Sequence, residues 1–159
     1  MGCTTPDSPI EFKIKKAFEL HNQKRIYHGS PSLSLSENLN KLAQEYAEAL
    51  AKKGKFFNNV YENIFLGENI YIYKGKDFDV ENMCNSWYEE NKNYNKNLSK
   101  YQKNTSHFTQ MIWKETTEVG FGFKRKGKKN IGVALYYPPG NEFGKYEENV
   151  IFPSINKNI

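Results

Sequence analysis

The chain has 159 residues with a formal net charge of +5 at pH 7, and 15% of its residues are aromatic. This length suits one domain with an ordinary core and is short for two. No zinc-finger spacing or other nucleic-acid-binding motif occurs, so nucleic acid is not expected as a partner. The scattered positive charge instead favours weak contact with an anionic membrane surface. Its modest clusters are Lys13, Lys15 and Lys16, and later Lys124, Arg125, Lys126, Lys128 and Lys129.

The chain begins with a pattern that fits double acylation. After removal of Met1, Gly2 is a candidate myristoylation site and Cys3 a candidate palmitoylation site, and two acyl chains are what stable anchoring requires. Pro6 departs from the Ser or Thr that usually stands at this position of the motif. The start does not resemble a signal peptide, and no apolar run is long enough to span a membrane. With only two cysteines, the chain is expected in a reducing compartment.

Two helices are predicted in the first third of the chain. Residues 12–27 form the first, which Gly29 and Pro31 end. Ser36 is a suitable N-cap for the second helix, which runs to Gly54. Its apolar residues recur at helical spacing, which predicts an amphipathic helix. They are Leu39, Leu42, Ala43, Tyr46, Ala47 and Leu50.

The middle of the chain predicts one strand and one helix. Residues 67–73 alternate between two faces, as in a strand. A third helix is predicted to start after Asp77 or Asp79, with Cys84 and Trp87 on its inner face. Cys84 is therefore expected to be a small buried hydrophobic residue.

The last part of the chain predicts a short helix and a hairpin. A polar surface loop is expected at residues 91–104, and Ser106 is a candidate cap for the short helix that follows. Two alternating strands are joined by a turn at residues 126–130, and Pro138 ends the second strand before an extended tail. Helices at both sequence ends of a small antiparallel sheet predict an α+β fold built in layers.

His107 is the candidate centre of a polar site, because its ionisable ring precedes the buried-looking run of residues 111–113. Two carboxylates, Glu68 and Glu90, are expected to face it. Paired carboxylates also serve retaining glycosidases, but no sugar-binding aromatic shelf accompanies these two. No G-x-S-x-G nucleophile elbow occurs, and the thiol of Cys84 is expected to point into the core. No enzymatic activity is therefore expected.

Four ordered segments carry motifs that belong together. They are His21-Asn22 with Arg25, His28-Gly29, Pro31 and Leu33; Gly67-Glu68-Asn69-Ile70; His107-Phe108-Thr109-Gln110-Met111-Ile112-Trp113; and Tyr136-Tyr137-Pro138-Pro139-Gly140-Asn141. These segments resemble the motifs of the CAP superfamily, which contains cysteine-rich secretory, antigen five and plant pathogenesis-related proteins. The resemblance is strongest to the branch of Golgi-associated plant pathogenesis-related proteins.

The resemblance implies a three-layer α-β-α sandwich with a small antiparallel sheet. The domain is expected at residues 10–152, between a flexible N-terminal segment at residues 1–9 and a C-terminal tail at residues 153–159. It also implies peripheral association with the cytoplasmic face of Golgi-like intracellular membranes, lipid or sterol binding, and a homodimer. The resemblance does not identify a protein partner.

Members of this superfamily hold two histidines and two glutamates in a central cavity. His107, Glu68 and Glu90 match three of these positions, whereas Asn58 stands where the second histidine is expected. Zinc prefers imidazole and thiolate ligands, so this asparagine disfavours a lasting metal site and a metal-dependent hydrolase. Glu68, Glu90 and His107 are thus only weak candidate ligands for a divalent metal, and no cofactor is expected. The cluster is predicted to be a hydrogen-bonded structural one.

The sequence therefore predicts a non-enzymatic, intracellular CAP-domain protein that binds lipid or sterol and associates peripherally with membranes. The alternative is a secreted or surface CAP effector that binds a host protein or sterol. In that case the glycosylation sequons at Asn97 and Asn104 would become relevant. A metal-dependent hydrolase is a less favoured third alternative.

Overall fold

The computed structural model describes residues 9–53, 65–76 and 78–153, which form both helices and strands. No helix in these ranges is both long and apolar enough to cross a membrane. The elements in chain order are α1 (Pro9–Tyr27), β1 (Ser34–Leu35), α2 (Glu37–Lys53), β2 (Gly67–Lys74), α3 (Val80–Tyr88), a 3-10 helix (Glu89–Asn93), α4 (Ser106–Ile112), β3 (Glu118–Lys126), β4 (Lys129–Tyr137) and α5 (Tyr146–Asn149).

The strands form one sheet in the order β1-β3-β4-β2. The three long strands are antiparallel, and the predicted hairpin of β3 and β4 is confirmed, with Lys126 paired to Lys129. Gly127 in its turn has a φ of 61°, a left-handed conformation that glycine adopts without strain. The two residues of β1 pair in parallel with β3, so the sheet is mixed at this edge. A strand of two exposed residues leaves no pattern in the sequence that could predict it.

The sheet separates two hydrophobic clusters, which confirms the predicted three-layer sandwich. Alternate residues of β4 point to opposite faces, as the pleat requires. Ile131, Val133 and Leu135 pack against α2, whereas Ala134 and Tyr136 pack on the side of α1, α3 and α4. The apolar stripe predicted for the second helix is the face of α2 that covers the sheet.

Two glycines of β3 allow α2 to lie directly on the strand backbone. A Cβ built on Gly120 would stand 2.2 Å from the carbonyl carbon of Leu39, and one built on Gly122 would stand 2.3 Å from that of Ala43. Both distances are far inside van der Waals contact. The side chains of α2 also pair with β3, since Asn40 accepts a hydrogen bond from the backbone N–H of Phe121. The close packing of this layer therefore depends on the absence of side chains here.

Three local expectations differ from the structure. Thr105, not Ser106, is the residue that precedes α4, and its side chain makes no capping hydrogen bond. Within the predicted polar loop, Tyr94 is buried against the core. The expected extended tail contains α5, where Asn149 accepts a hydrogen bond from the backbone N–H of Glu115. These features depend on contacts between distant segments, which periodicity does not report.

Replacement of Gly120 by alanine is expected to destabilise the fold by about 2–3 kcal/mol, because the new methyl group would meet the backbone of α2. In the matched variant Gly127→Ala the new Cβ has open space around it. Its only cost is the strain of an alanine in the left-handed backbone conformation. We expect it to lose about 1 kcal/mol. Urea denaturation of the two variants measures the difference, and equal losses would contradict direct contact between α2 and β3.

Candidate functional site

His107 and Glu90 form a close pair at the start of α4. One carboxylate oxygen of Glu90 accepts hydrogen bonds from the backbone N–H groups of His107 at 2.9 Å and Phe108 at 3.1 Å. The other oxygen lies 2.8 Å from Nδ1 of His107. Because a carboxylate only accepts, Nδ1 carries the proton in this pair. The imidazole ring also stacks on Trp87 with an interplanar angle of 7°.

The carboxylate of Glu90 therefore caps a helix from outside that helix. The first amides of an α-helix have no partner within it, and they attract negative charge. Thr105 makes no capping hydrogen bond, so Glu90 takes this role from the neighbouring 3-10 helix. The pair is partly open, with 36% of the side chain of His107 and 20% of that of Glu90 exposed.

The structure places Glu68 on the other face of β2. Its neighbour Asn69 points towards α4, where its amide donates to the backbone carbonyl of His107 at 3.1 Å. Because successive residues of a strand point to opposite faces, Glu68 points to the side of α2. Its partner in the register, Leu135, lies on the same side. There the charge of Glu68 contributes to a raised pKa of Tyr46, after the larger effect of burial. Burial also raises the pKa of Glu68 itself.

Three of the predicted site residues lie outside the described residues. These are Asn58, Gly2 and Cys3. Within residues 9–53, 65–76 and 78–153, no group of three His, Cys, Asp or Glu side chains is placed to hold a metal ion. The described ligands therefore do not fit a zinc site, because His107 and Glu90 are bonded to each other and Glu68 points elsewhere.

A chain of hydrogen bonds leads from α4 along one face of the sheet to α1. Tyr136 lies between two partners: its hydroxyl accepts from the amide of Asn69 at 3.1 Å and lies 2.7 Å from Nε2 of His21. The other ring nitrogen of His21 donates to the carbonyl of Ala17 at 2.8 Å, so Nε2 accepts from Tyr136. Burial lowers the pKa of His21 to about 4 and raises that of Tyr136 well above its ordinary value. Both groups are therefore neutral at pH 7.

Arg25 is fully buried, and within the described part of the chain it donates to backbone carbonyls. Its Nε bonds the carbonyl of Pro31 at 2.9 Å, and Nη2 bonds that of Thr116 at 2.9 Å. Nη1 bonds the carbonyls of Met111 at 3.2 Å and Trp113 at 2.7 Å, at the end of α4. The sequence motif includes Arg25 but does not predict its partners. A charged residue one helical turn from His21, on the inward face of α1, is the sequence feature that indicates its burial.

Cys84 is not placed for nucleophilic chemistry. The thiol of Cys84 is buried as predicted, and burial raises its pKa to about 12, so the thiolate is not formed at neutral pH. Its sulfur lies 4.0 Å from Nδ1 of His21, but that nitrogen donates to a carbonyl and cannot act as a base. Glu68 and Glu90 do not face a common substrate position, because they lie on opposite sides of β2.

Comparison with known proteins identifies the class of this molecule. The model of the CAP family, described as the cysteine-rich secretory protein family, matches residues 18–137. The chain belongs to this family, which confirms the resemblance seen in the sequence. The human Golgi-associated plant pathogenesis-related protein 1 is 36% identical over 143 residues, which cover 87% of this chain and 92% of that protein.

Fungal relatives and solved structures extend the comparison. PRY2 of Saccharomyces cerevisiae is 33% identical over 82% of this chain, and the secreted protein RBT4 of Candida albicans is 31% identical over 82%. The chain spans only 39% and 36% of these two proteins. The structure of NaASP2 with Zn²⁺ matches 96% of this chain and 91% of its own at a TM-score of 0.74 and 22% identity. Schistosoma mansoni venom allergen-like protein 4 matches 89% and 94% at a TM-score of 0.69 and 22% identity. These structures confirm the fold.

Replacement of Glu90 by alanine is expected to destabilise the protein by about 2 kcal/mol, since two helix amides and His107 lose their acceptor. Glu90→Gln keeps one oxygen for the amides and should lose roughly half as much. The matched control is Glu89→Gln, a neighbour whose ion pair with Lys92 is exposed, with an expected loss below about 0.5 kcal/mol. Chemical denaturation distinguishes the three, and an unchanged stability of Glu90→Ala would rule out the capping role.

Acid is expected to destabilise the protein through His21. The unfolded chain takes up a proton near pH 6.5, whereas the folded chain excludes it until about pH 4. The penalty is therefore absent above pH 6.5 and complete below pH 4. At about 1.4 kcal/mol per unit of pKa, it reaches about 3 kcal/mol. Denaturation midpoints across this range measure the slope, and His21→Gln should flatten it. An equal slope in the variant would show that other groups carry the effect.

Proposed function

We propose that this protein is a non-enzymatic CAP protein that associates peripherally with the cytoplasmic face of intracellular membranes through lipid or sterol contacts. Acylation at Gly2 and Cys3 strengthens this association. The observation that carries the non-enzymatic part of the proposal is the geometry of Glu90, whose two oxygens bond the first turn of α4 and the ring of His107. Glu90 and His107 thus have a structural role in this chain.

Several observations support binding over catalysis. The carboxylate of Glu90 accepts from two backbone N–H groups of α4 and from Nδ1 of His107, so its two oxygens are engaged in capping the helix and orienting the ring. The remaining nitrogen of His107, Nε2, has no hydrogen-bond partner among the described residues, yet no described nucleophile is hydrogen-bonded to it. The buried thiol of Cys84 is protonated at neutral pH, since its pKa is about 12.

Association with membranes is supported by the human relative, which is named for the Golgi apparatus and is covered over 92% of its length. The Met1-Gly2-Cys3 start supplies candidate sites for two acyl chains. A single myristoyl chain gives only marginal binding, so a second contact is needed for stable association. Palmitoylation of Cys3 or a basic protein surface would supply that contact. A homodimer remains a further proposal from the family resemblance.

The second candidate function is that of a secreted CAP protein that binds a sterol or a host protein. The relative from Candida albicans named as secreted favours it, at 31% identity. Both sequon asparagines, Asn97 and Asn104, are exposed in the structure and would be accessible to glycosylation. The metal-dependent hydrolase has no comparable support among the described residues.

Metabolic labelling with a myristate analogue tests the proposed function. The native chain is expected to be labelled and to sediment with membranes, whereas Gly2→Ala should lose the label and most of the membrane-bound fraction. Cys3→Ser serves as the matched control, because it should keep the myristate label and lose only palmitate. Labelling that is independent of Gly2, or a native protein found in the medium with glycan on Asn97 or Asn104, would overturn the cytoplasmic assignment.

A further inference from the structure

Two lysine clusters that are far apart in the sequence meet at one end of the molecule. Lys13 of α1 lines a pocket of about 250 Å³ together with Lys124 and Arg125 of β3. The backbone carbonyl of Lys76, after β2, accepts a hydrogen bond from Arg125. The hairpin turn adds Lys128. We call this surface the basic face and define it by Lys13, Lys15, Lys16, Lys74, Lys76, Lys124, Arg125, Lys126, Lys128 and Lys129.

Cations are in excess over carboxylates on the basic face. The ion pairs of Lys92 with Glu89, Lys145 with Glu142, and His107 with Glu90 lie away from this face. Carboxylates do line the same pockets, but they are fewer than the cations. They are Glu19, Glu48, Asp79 and Glu81.

Exposed apolar side chains accompany these cations. Phe12 is 62% exposed and Ile10 is 42% exposed, and both lie on the first turns of α1. Phe12 lines two pockets with Lys16, and Ile10 lines the pocket that contains Lys13. Aromatic and aliphatic side chains beside lysines are typical of surfaces that rest on the headgroup layer of a bilayer.

The chain that precedes α1 also leaves from this surface, since Pro9 is the first residue of α1 and its neighbour Ile10 lines the pocket of the basic face. Residues 1–8 precede it in the sequence. A chain of that length spans at most about 28 Å. A group carried by Gly2 can therefore reach a bilayer that contacts the basic face.

We infer that the basic face docks on the surface of a bilayer that contains anionic phospholipid, with Phe12 inserted between headgroups and the pocket between Lys13 and Lys124 holding a lipid phosphate. This inference rests on the proposed function and specifies the surface that performs it. Lysines near an anionic membrane each contribute about 1 kcal/mol of attraction. The face therefore supplies the second contact that a single acyl chain lacks.

A bilayer fits this face better than a nucleic acid or a phosphopeptide does. Arginine is over-represented where such ligands are recognised through bidentate contacts to phosphate. The chain has two arginines. Arg25 is fully buried, and the guanidinium of Arg125 is bonded to the carbonyls of Gly127 and Lys76. Lysine charges on a surface with a protruding Phe12 match a diffuse anionic layer instead.

Vesicle flotation of the unacylated full-length protein tests the docking face. The vesicles contain phosphatidylcholine with or without about 30 mol % phosphatidylserine. The wild type is expected to float only with the anionic vesicles. Removal of three charges in Lys13→Gln/Lys16→Gln/Lys124→Gln should lower the partition coefficient about 100-fold, at about fivefold per lysine. The matched control Lys100→Gln/Lys103→Gln/Lys114→Gln has the same net charge, uses exposed lysines elsewhere, and should lose less than about threefold.

A second pair of variants tests insertion of the aromatic ring. Phe12→Ser should lower the partition coefficient about tenfold. Its control is Phe143→Ser, at a side chain that is 98% exposed and far from α1 in the sequence, and it should leave binding unchanged. Thermal melts of all variants exclude unfolding as the cause.

The outcomes separate this inference from the proposed function. If the wild type floats with anionic vesicles but the two triple variants bind equally well, the basic face is not the docking surface. The proposed membrane association would still hold. Equal binding to both vesicle types would also overturn the face, since charge would not be the cause. If neither the unacylated nor the myristoylated wild type binds any vesicle, the proposed function fails as well. Retention on an immobilised oligonucleotide without vesicle binding would overturn the inference and identify a nucleic acid as the ligand of the basic face.

Discussion

The buried guanidinium of Arg25 is the constraint on which the rest of the structure depends. It has no carboxylate partner among the described residues and is compensated by four backbone carbonyls, from Pro31, Met111, Trp113 and Thr116. Burial lowers its pKa to about 10, so it remains charged at pH 7. An unpaired buried carbonyl is destabilising, and so is an unpaired buried cation. Neither the side chain nor the loops around it can therefore move independently.

The same residue explains why a helix as short as α4 is well defined. The carbonyls at its C-terminal end meet the cation of Arg25, while its N-terminal amides meet the anion of Glu90. Both charges have the sign that the helix dipole favours. The orientation of His107 follows from this fixed helix and from the carboxylate that holds its ring. The histidine that looked like the centre of a chemical site is thus held by the architecture around it.

Sequence reasoning succeeded where local pattern decides structure and failed where distant contacts decide it. The apolar spacing of α2 and the alternation in β4 follow from helix and strand periods, so both elements were predictable. The cap of α4 was not, because its acceptor comes from Glu90, sixteen positions before Ser106. Alternation shows that Glu68 and Asn69 point to opposite faces, but it does not say which of them faces His107. Likewise, the lysine clusters meet only once the hairpin lies beside α1.

One helix links the interior to the surface. The C-terminal half of α1 carries His21 and Arg25, which are bonded to the sheet and to α4, whereas its first turns carry Phe12, Lys13 and Lys16. Because the buried half is fixed by charge and hydrogen bonding, the helix backbone that carries the cations of the exposed half is held in a set position. Binding that needs little reorganisation loses less of its energy to ordering. The inward-facing motif residues of this CAP domain therefore contribute to recognition indirectly, by holding rigid the surface that we infer meets the membrane.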